Sequence, residues 1–315
     1  MKPVVLFILS FSLFSVYSFS QNIKNDTLSA SENYKKGKEL YQLMLFDSAE
    51  VFFSKSSEIY LNYKLWDKYL YSESERANCI NLAYDFEGAF DVLKKAMKLT
   101  DNKVDKNKPA YTFALFHYGK VFNNMNLPDS ALVYHEKALK IREAYYKTEN
   151  KELADSYYFL NKIHFSFYDF EKAMYYNEKA YAIAQKLFPE DDFFNLSILN
   201  DKGLIKLYSM NHREAEKIFE RTGYLTEQKY GKESFENIYP LSYLSLVYQD
   251  LGDYDKAIEI QKEVLRISLN NFGENHYYTG TACQNIASSY NSKREHELAI
   301  EYLKKINRNP NINFR

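Results

Sequence analysis

Glycine and proline are scarce in this chain, at 9 and 6 among 315 residues. Ordinary composition would supply about 20 and about 15. Glycine-rich phosphate loops and turn-dense all-β folds are therefore not expected. Cysteine is scarcer still, at two residues, too few for a disulfide framework holding a small loop-rich fold. Neither sign of charge is in excess: 41 Lys and Arg stand against 42 Asp and Glu, a formal net charge of −1. A nucleic-acid binder would carry a basic surplus to replace the counterions of phosphate, so that class is set aside. The chain does have 30 Tyr and 23 Phe, with 46% hydrophobic residues, 26% charged and a mean hydropathy of −0.51. This is a soluble composition, with length for about two ordinary domains.

The one long apolar run lies at the start. Lys2 provides a positive charge, Val4 to Val16 is apolar apart from three serines, and Ser18-Phe19-Ser20 precedes Gln21. This is the pattern of a cleaved secretory signal peptide. The run is too short for a comfortable transmembrane span, which needs about 20 residues. The alternative is an uncleaved signal anchor. No Cys stands near the cleavage point, so a lipoprotein is not indicated. The mature protein is expected to be exported.

Self-comparison then organises the rest of the chain. A short motif of an aromatic residue or His, two mostly polar positions and Ala recurs. It reads Phe46-Asp47-Ser48-Ala49, Phe86-Glu87-Gly88-Ala89 and Phe170-Glu171-Lys172-Ala173, and continues to Tyr254-Asp255-Lys256-Ala257 and His296-Glu297-Leu298-Ala299. The seven alanines, from Ala49 to Ala299, are spaced by 40 and then by 42 five times. Twelve residues before each stands a mostly small residue: Gly37, Ala77, Gly119, Asn161, Gly203, Ser245 and Ala287. Seven after it come Ser56, Ala96, Ala138, Ala180, Thr222, Val264 and Ile306, and ten after it a column of Ile and Leu. Spacings of 3, 4 and 7 place such residues on one helical face. Each unit is thus a helix, a tight turn and a second helix. Cys79 and Cys283 fall five repeats apart, roughly 50 Å at about 10 Å per repeat, and a bridge needs Cα atoms within about 7 Å. Two isolated buried thiols are expected.

These columns resemble the tetratricopeptide repeat (TPR). The 42-residue period exceeds the usual length of about 34 and looks like the long-helix variant of kinesin light chains. Phe272-Gly273-Glu274-Asn275-His276 followed by Asn285-Ile286-Ala287 resembles that variant's inter-repeat pattern. The resemblance implies an all-α, right-handed superhelical solenoid of about seven helix-turn-helix repeats. The divisions are a signal peptide at 1–20, an N-terminal linker at 21–30, repeats over 31–307 and a tail at 308–315. Asn161, Lys206 and Thr222 depart from the family's small or apolar preferences, so repeats 4 and 5 are expected to pack less well. In the seventh repeat Asn309 replaces the aliphatic residue and Pro310 follows, with no polar capping helix after it. That end is expected to cap itself poorly, to dock on a partner or a second copy, or to be what remains of a longer product with an effector domain.

No catalytic constellation emerges. His135-Glu136 and His296-Glu297 begin like the zinc motif His-Glu-x-x-His, but Leu139 and Ile300 occupy the last position. No P-loop, Gly-x-Gly-x-x-Gly or Gly-x-Ser-x-Gly occurs. The acidic turn Glu190-Asp191-Asp192 is read as solvated. The expectation is a protein that is not an enzyme and takes no cofactor, metal, nucleic acid or small-molecule substrate. Stacked repeats present an extended concave face, and the resemblance puts binding positions on the first helix of each repeat. Those singled out for a peptide are Asn78, Asn81, Phe116, Lys120, Asn123, Asn124, Tyr158, Lys162 and Asn200. Asn donates and accepts at once, and aromatic rings add contact at low entropic cost. The expected function is that of a protein-interaction scaffold, and the expected location is the periplasm. The alternative is a sensory or regulatory array of an exported signalling or CHAT-protease-type system.

Overall fold

The computed structural model describes residues 23–307, with side chains to residue 305. The leader at 1–20 and the tail at 308–315, including Asn309 and Pro310, lie outside the described residues. Within them are fourteen α-helices, one 3-10 turn and no strand. They run in pairs: α1 (residues 23–42) and α2 (Phe46–Asn62), α3 (Trp66–Leu82) and α4 (Phe86–Thr100), α5 (Pro109–Asn124) and α6 (Pro128–Tyr145). Then follow α7 (Lys151–Ser166) and α8 (Phe170–Leu187), α9 (Phe193–Tyr208) and α10 (His212–Tyr230), the 3-10 turn Phe235–Asn237 with α11 (Ile238–Asp250) and α12 (Tyr254–Phe272), and α13 (Tyr277–Ser292) and α14 (His296–Asn307). The chain divides between Ser156 and Tyr157 into two compact units. Residues 23–30, expected as a linker, are instead continuous with the first repeat helix. Ala30 is fully buried and its carbonyl accepts from Ser56 Oγ at 2.9 Å, so this stretch is held by the core.

The helix starts follow the alanine ruler. The second helices begin at 46, 86, 128, 170, 212, 254 and 296, each on the aromatic, His or Pro position of the motif. The column alanines are wholly buried in six repeats, and Ala299 is 5% exposed. Ser56, Ala96, Ala138, Ala180 and Thr222 are buried as completely. Small residues here let neighbouring helix backbones approach closely. The facing volumes compensate one another: the Cβ that Gly37 lacks would lie 2.8 Å from the Phe53 ring. At Gly119 it would meet His135, and at Gly203 Phe219, both at 2.4 Å. Each such ring fills a glycine notch, and burying a Phe contributes about 1.5–3 kcal/mol.

The tight turns are made with almost no glycine. Met44, Tyr84, Asn126, Tyr168, Met210 and Arg294 all adopt positive φ, between 58° and 66°. Only the sixth repeat uses glycine there, Gly252 at 78°. The left-handed region disfavours residues with a Cβ, so these turns are held by the helices they join. Side chains also cap several starts, satisfying amide groups that have no partner inside the helix. Asp85 accepts from the Gly88 amide, Asp169 from Lys172, Asn211 from Glu214 and Asp253 from Lys256. The acidic turn before α9 is built in the same way. Asp192 caps the helix at Phe194 N, the Asp191 carbonyl accepts from Lys229 Nζ at 2.8 Å, and Glu190 pairs with Arg221. Cys79 and Cys283 are free and buried, one in each unit.

Candidate functional site

In the first unit, Asn78 on α3 is buried and committed to its neighbours. Its Nδ2 donates to Tyr41 Oη at 2.9 Å, and its Oδ1 accepts from Lys120 Nζ at 2.5 Å. The link exists because Lys120 follows Asn78 by 42 residues, one repeat along. Burial pulls the Lys120 ammonium down to about 8, against the influence of Glu75 and Asp155. Lys38 Nζ donates to the buried Glu75 at 2.7 Å alongside. Asn81 is 1% exposed with neither amide atom hydrogen-bonded, and Phe116 is buried between the His135 ring, at 5.1 Å, and the Arg142 guanidinium, at 4.7 Å. These two positions therefore offer no surface to a partner in this structure: each lies on the flank of its helix that packs against a neighbour. Asn123 is half-buried and Asn124 exposed.

The second unit gathers the other three expected residues. Tyr158 and Lys162 from α7 and Asn200 from α9 line one cleft of about 260 Å³, together with Asp201 and residues of α10, the 3-10 turn and α11. Its walls are aromatic: Tyr158, Phe193, Tyr230, Phe235, Tyr239 and Tyr243. Lys162 is exposed, with Nζ 5.5 Å from the centre of the Tyr158 ring. Burial lifts the Asp201 carboxyl to about 6, although Lys162 and the Asn161 amide both favour its charged form. Burial likewise raises the Tyr243 hydroxyl to about 12.

The residues that break the repeat columns support this cleft. Asn161 occupies a small-residue position, yet it is fully buried and its Nδ2 donates to Asp201 Oδ2 at 3.0 Å. Thr222 is also fully buried, and its hydroxyl donates to Asn200 Oδ1 at 2.9 Å. Lys206 pairs with Glu214 at 2.7 Å. The column-breaking residues of repeats 4 and 5 thus each make a polar contact, and two of them, Asn161 and Thr222, hold cleft side chains. Asp201 itself was missed by sequence reasoning, being one place beyond the Asn200 column. The signal that pointed to it was the misplaced Asn161, because a buried amide requires a polar partner.

Among the described residues no group of three His, Cys, Asp or Glu side chains converges as a metal site, and no helix is long and apolar enough to cross a membrane. His135 belongs to the core, where burial lowers its imidazole to about 3.

The tetratricopeptide repeat family pattern matches residues 194–268 and 238–306. No curated protein matches the sequence. Among solved structures, a putative kinesin light chain with nearly identical TPR-like repeats from Podosopora anserina is 15% identical, with a TM-score of 0.56 over 63% of this chain and 94% of its own. RapI in its apo form is 13% identical, with a TM-score of 0.66 over 88% of this chain and 75% of its own. A Rap protein complexed with competence and sporulation factor is 15% identical, with a TM-score of 0.52 over 90% and 97%. At such identities the likeness is one of fold. The matched segments cover α9 to α14, and the same buried columns continue back to α1. Residues 194–306 carry the tetratricopeptide repeat pattern, and the fold of the chain is that of the tetratricopeptide-repeat solenoids it resembles.

Proposed function

We propose that this protein is a non-enzymatic interaction scaffold that holds a segment of a partner protein in the cleft of its second unit. The observation that carries the reading is the convergence of Tyr158, Lys162 and Asn200 with Asp201 inside an aromatic wall. Small-molecule pockets usually enclose about 300–1,000 Å³, and this one is smaller, on the scale of a single large side chain. Rigid aromatic rings beside a few polar groups are the composition of a recognition surface. The shared fold of a Rap protein solved with competence and sporulation factor agrees with the reading.

The test is a pull-down from envelope extract with wild type and a Tyr158→Ala/Asn200→Ala/Tyr243→Ala variant. A partner retained by wild type and lost by the variant, with helical signal and melting intact, is the expected result. A partner retained by both would move the site elsewhere. We also propose that the protein is exported and periplasmic, as the leader read at residues 1–20 implies. Mass spectrometry of the envelope protein should then find an N-terminus at Gln21, whereas a membrane fraction still carrying Met1 would establish the uncleaved anchor.

A further inference from the structure

Resting on the reading of the cleft as a partner site, we propose that the cleft takes an arginine side chain of the partner segment, with Asp201 as its carboxylate anchor and the tyrosine rings as its walls.

The argument begins with charge. Asp201 sits on α9 among aromatic side chains, and among the described residues it makes no ion pair. Its Oδ2 accepts from Asn161 at 3.0 Å, and no described donor reaches its Oδ1. The other charged groups lining the cleft are Lys162, from α7, and Glu236, from the 3-10 turn, so the lining carries more acid than base. Lys162 leans over the Tyr158 ring and not onto the carboxylate. The carboxylate is therefore under-compensated, as its elevation to about 6 by burial also indicates. A cation entering the cleft would supply what is missing.

The wall then selects the kind of cation. Aromatic faces attract cations, more strongly where water is excluded. A guanidinium is planar, stacks on rings, and forms paired hydrogen bonds to a carboxylate. An ammonium is a compact, strongly hydrated point charge. The size of the cleft, about 260 Å³, suits one such side chain and excludes a folded domain.

The test uses the full chain and a random dodecamer display library. Peptides are kept whose binding to wild type is lost with Tyr239→Ala/Tyr243→Ala. Those peptides are expected to share an arginine, and its replacement by citrulline, a neutral near-isostere, should weaken binding on the order of tenfold. On Asp201→Asn the arginine and citrulline peptides should bind within about twofold of each other, which closes a double-mutant cycle. Lowering the pH from 7.5 to 5 should weaken the arginine peptide on wild type, as Asp201 takes up its proton, and leave Asp201→Asn flat. The other titratable groups facing the cleft are Lys162, Glu236 and the tyrosines of α7, α10 and α11. The citrulline comparison on wild type needs no protein variant, so misfolding cannot mask the result. Cleft-dependent peptides without arginine, or with an arginine that citrulline replaces within twofold, would overturn the proposal and leave the partner-segment reading standing. A selection yielding no cleft-dependent peptide would overturn both.

Discussion

His135 stands against Gly119 as Phe53 stands against Gly37 and Phe219 against Gly203, so the notch it fills is shaped for an aromatic ring. It differs in carrying nitrogens that burial holds neutral, with the imidazole lowered to about 3. In an unfolded chain the same group titrates near 6.5. Between those values the unfolded state binds more protons, so stability falls as pH drops from about 6.5 towards about 3. His135→Phe should keep the melting temperature at pH 7 and flatten that acid slope, measured by thermal melts across the window. Asp201 works in the opposite sense. Its folded value, about 6, lies above the unfolded one of about 3.9, so its stabilising contribution is complete below about pH 4 and is lost as pH rises through about 6. Asp201→Asn should therefore raise the melting temperature at pH 7.5 and leave it nearly unchanged at pH 4. A gain in stability that removes binding is the mark of a residue kept for function. Residues of the two kinds were unequally legible in the sequence. The buried columns could be read from spacing, because every repeat reports the same position. Asn81 and Phe116 could not, because a residue on the flank of a helix is sent to core or surface by its neighbour's size. Repetition reveals faces but not those local choices.

At the scale of helix pairs, packing is a matter of matched volumes. Ala77 and Leu93 occupy in the second repeat the two columns that Gly203 and Phe219 occupy in the fifth, and both are buried. Gly203→Ala alone forces a Cβ to 2.4 Å from the Phe219 ring, overpacking that costs about 1–3 kcal/mol. Phe219→Leu alone leaves a void. The double variant rebuilds the pairing of the second repeat, and its loss in chemical denaturation should be clearly smaller than the sum of the two. The turns give a prediction of opposite sign. Met210 and Tyr168 are each 76% exposed and adopt positive φ, where Gly252 serves the sixth repeat. Met210→Gly or Tyr168→Gly should stabilise by about 0.5–1 kcal/mol, the relief of left-handed strain outweighing the entropy glycine adds to the unfolded chain. Helix starts were legible because the motif marks them. The strained turns were not, since Met, Tyr and Arg carry no signal for positive φ. The helical course of residues 23–30 was hidden for a related reason: nothing repeats there, and burial of Ala30 is a tertiary fact.

Across the whole molecule, the near-cancellation of charge leaves a pI of about 6.6, so solubility at low salt should be least near that pH and recover on either side. A turbidity scan measures this directly. The small count of cysteines has a further consequence. With Cys79 in one compact unit and Cys283 in the other, both free and buried, each unit carries its own chemical stopwatch. Burial pushes the Cys79 thiol up to about 12, so a thiol reagent at neutral pH must wait for opening. Labelling rates read peptide by peptide then time the two halves separately within one unmodified chain, and their ratio tells whether the repeats come apart together or in sequence.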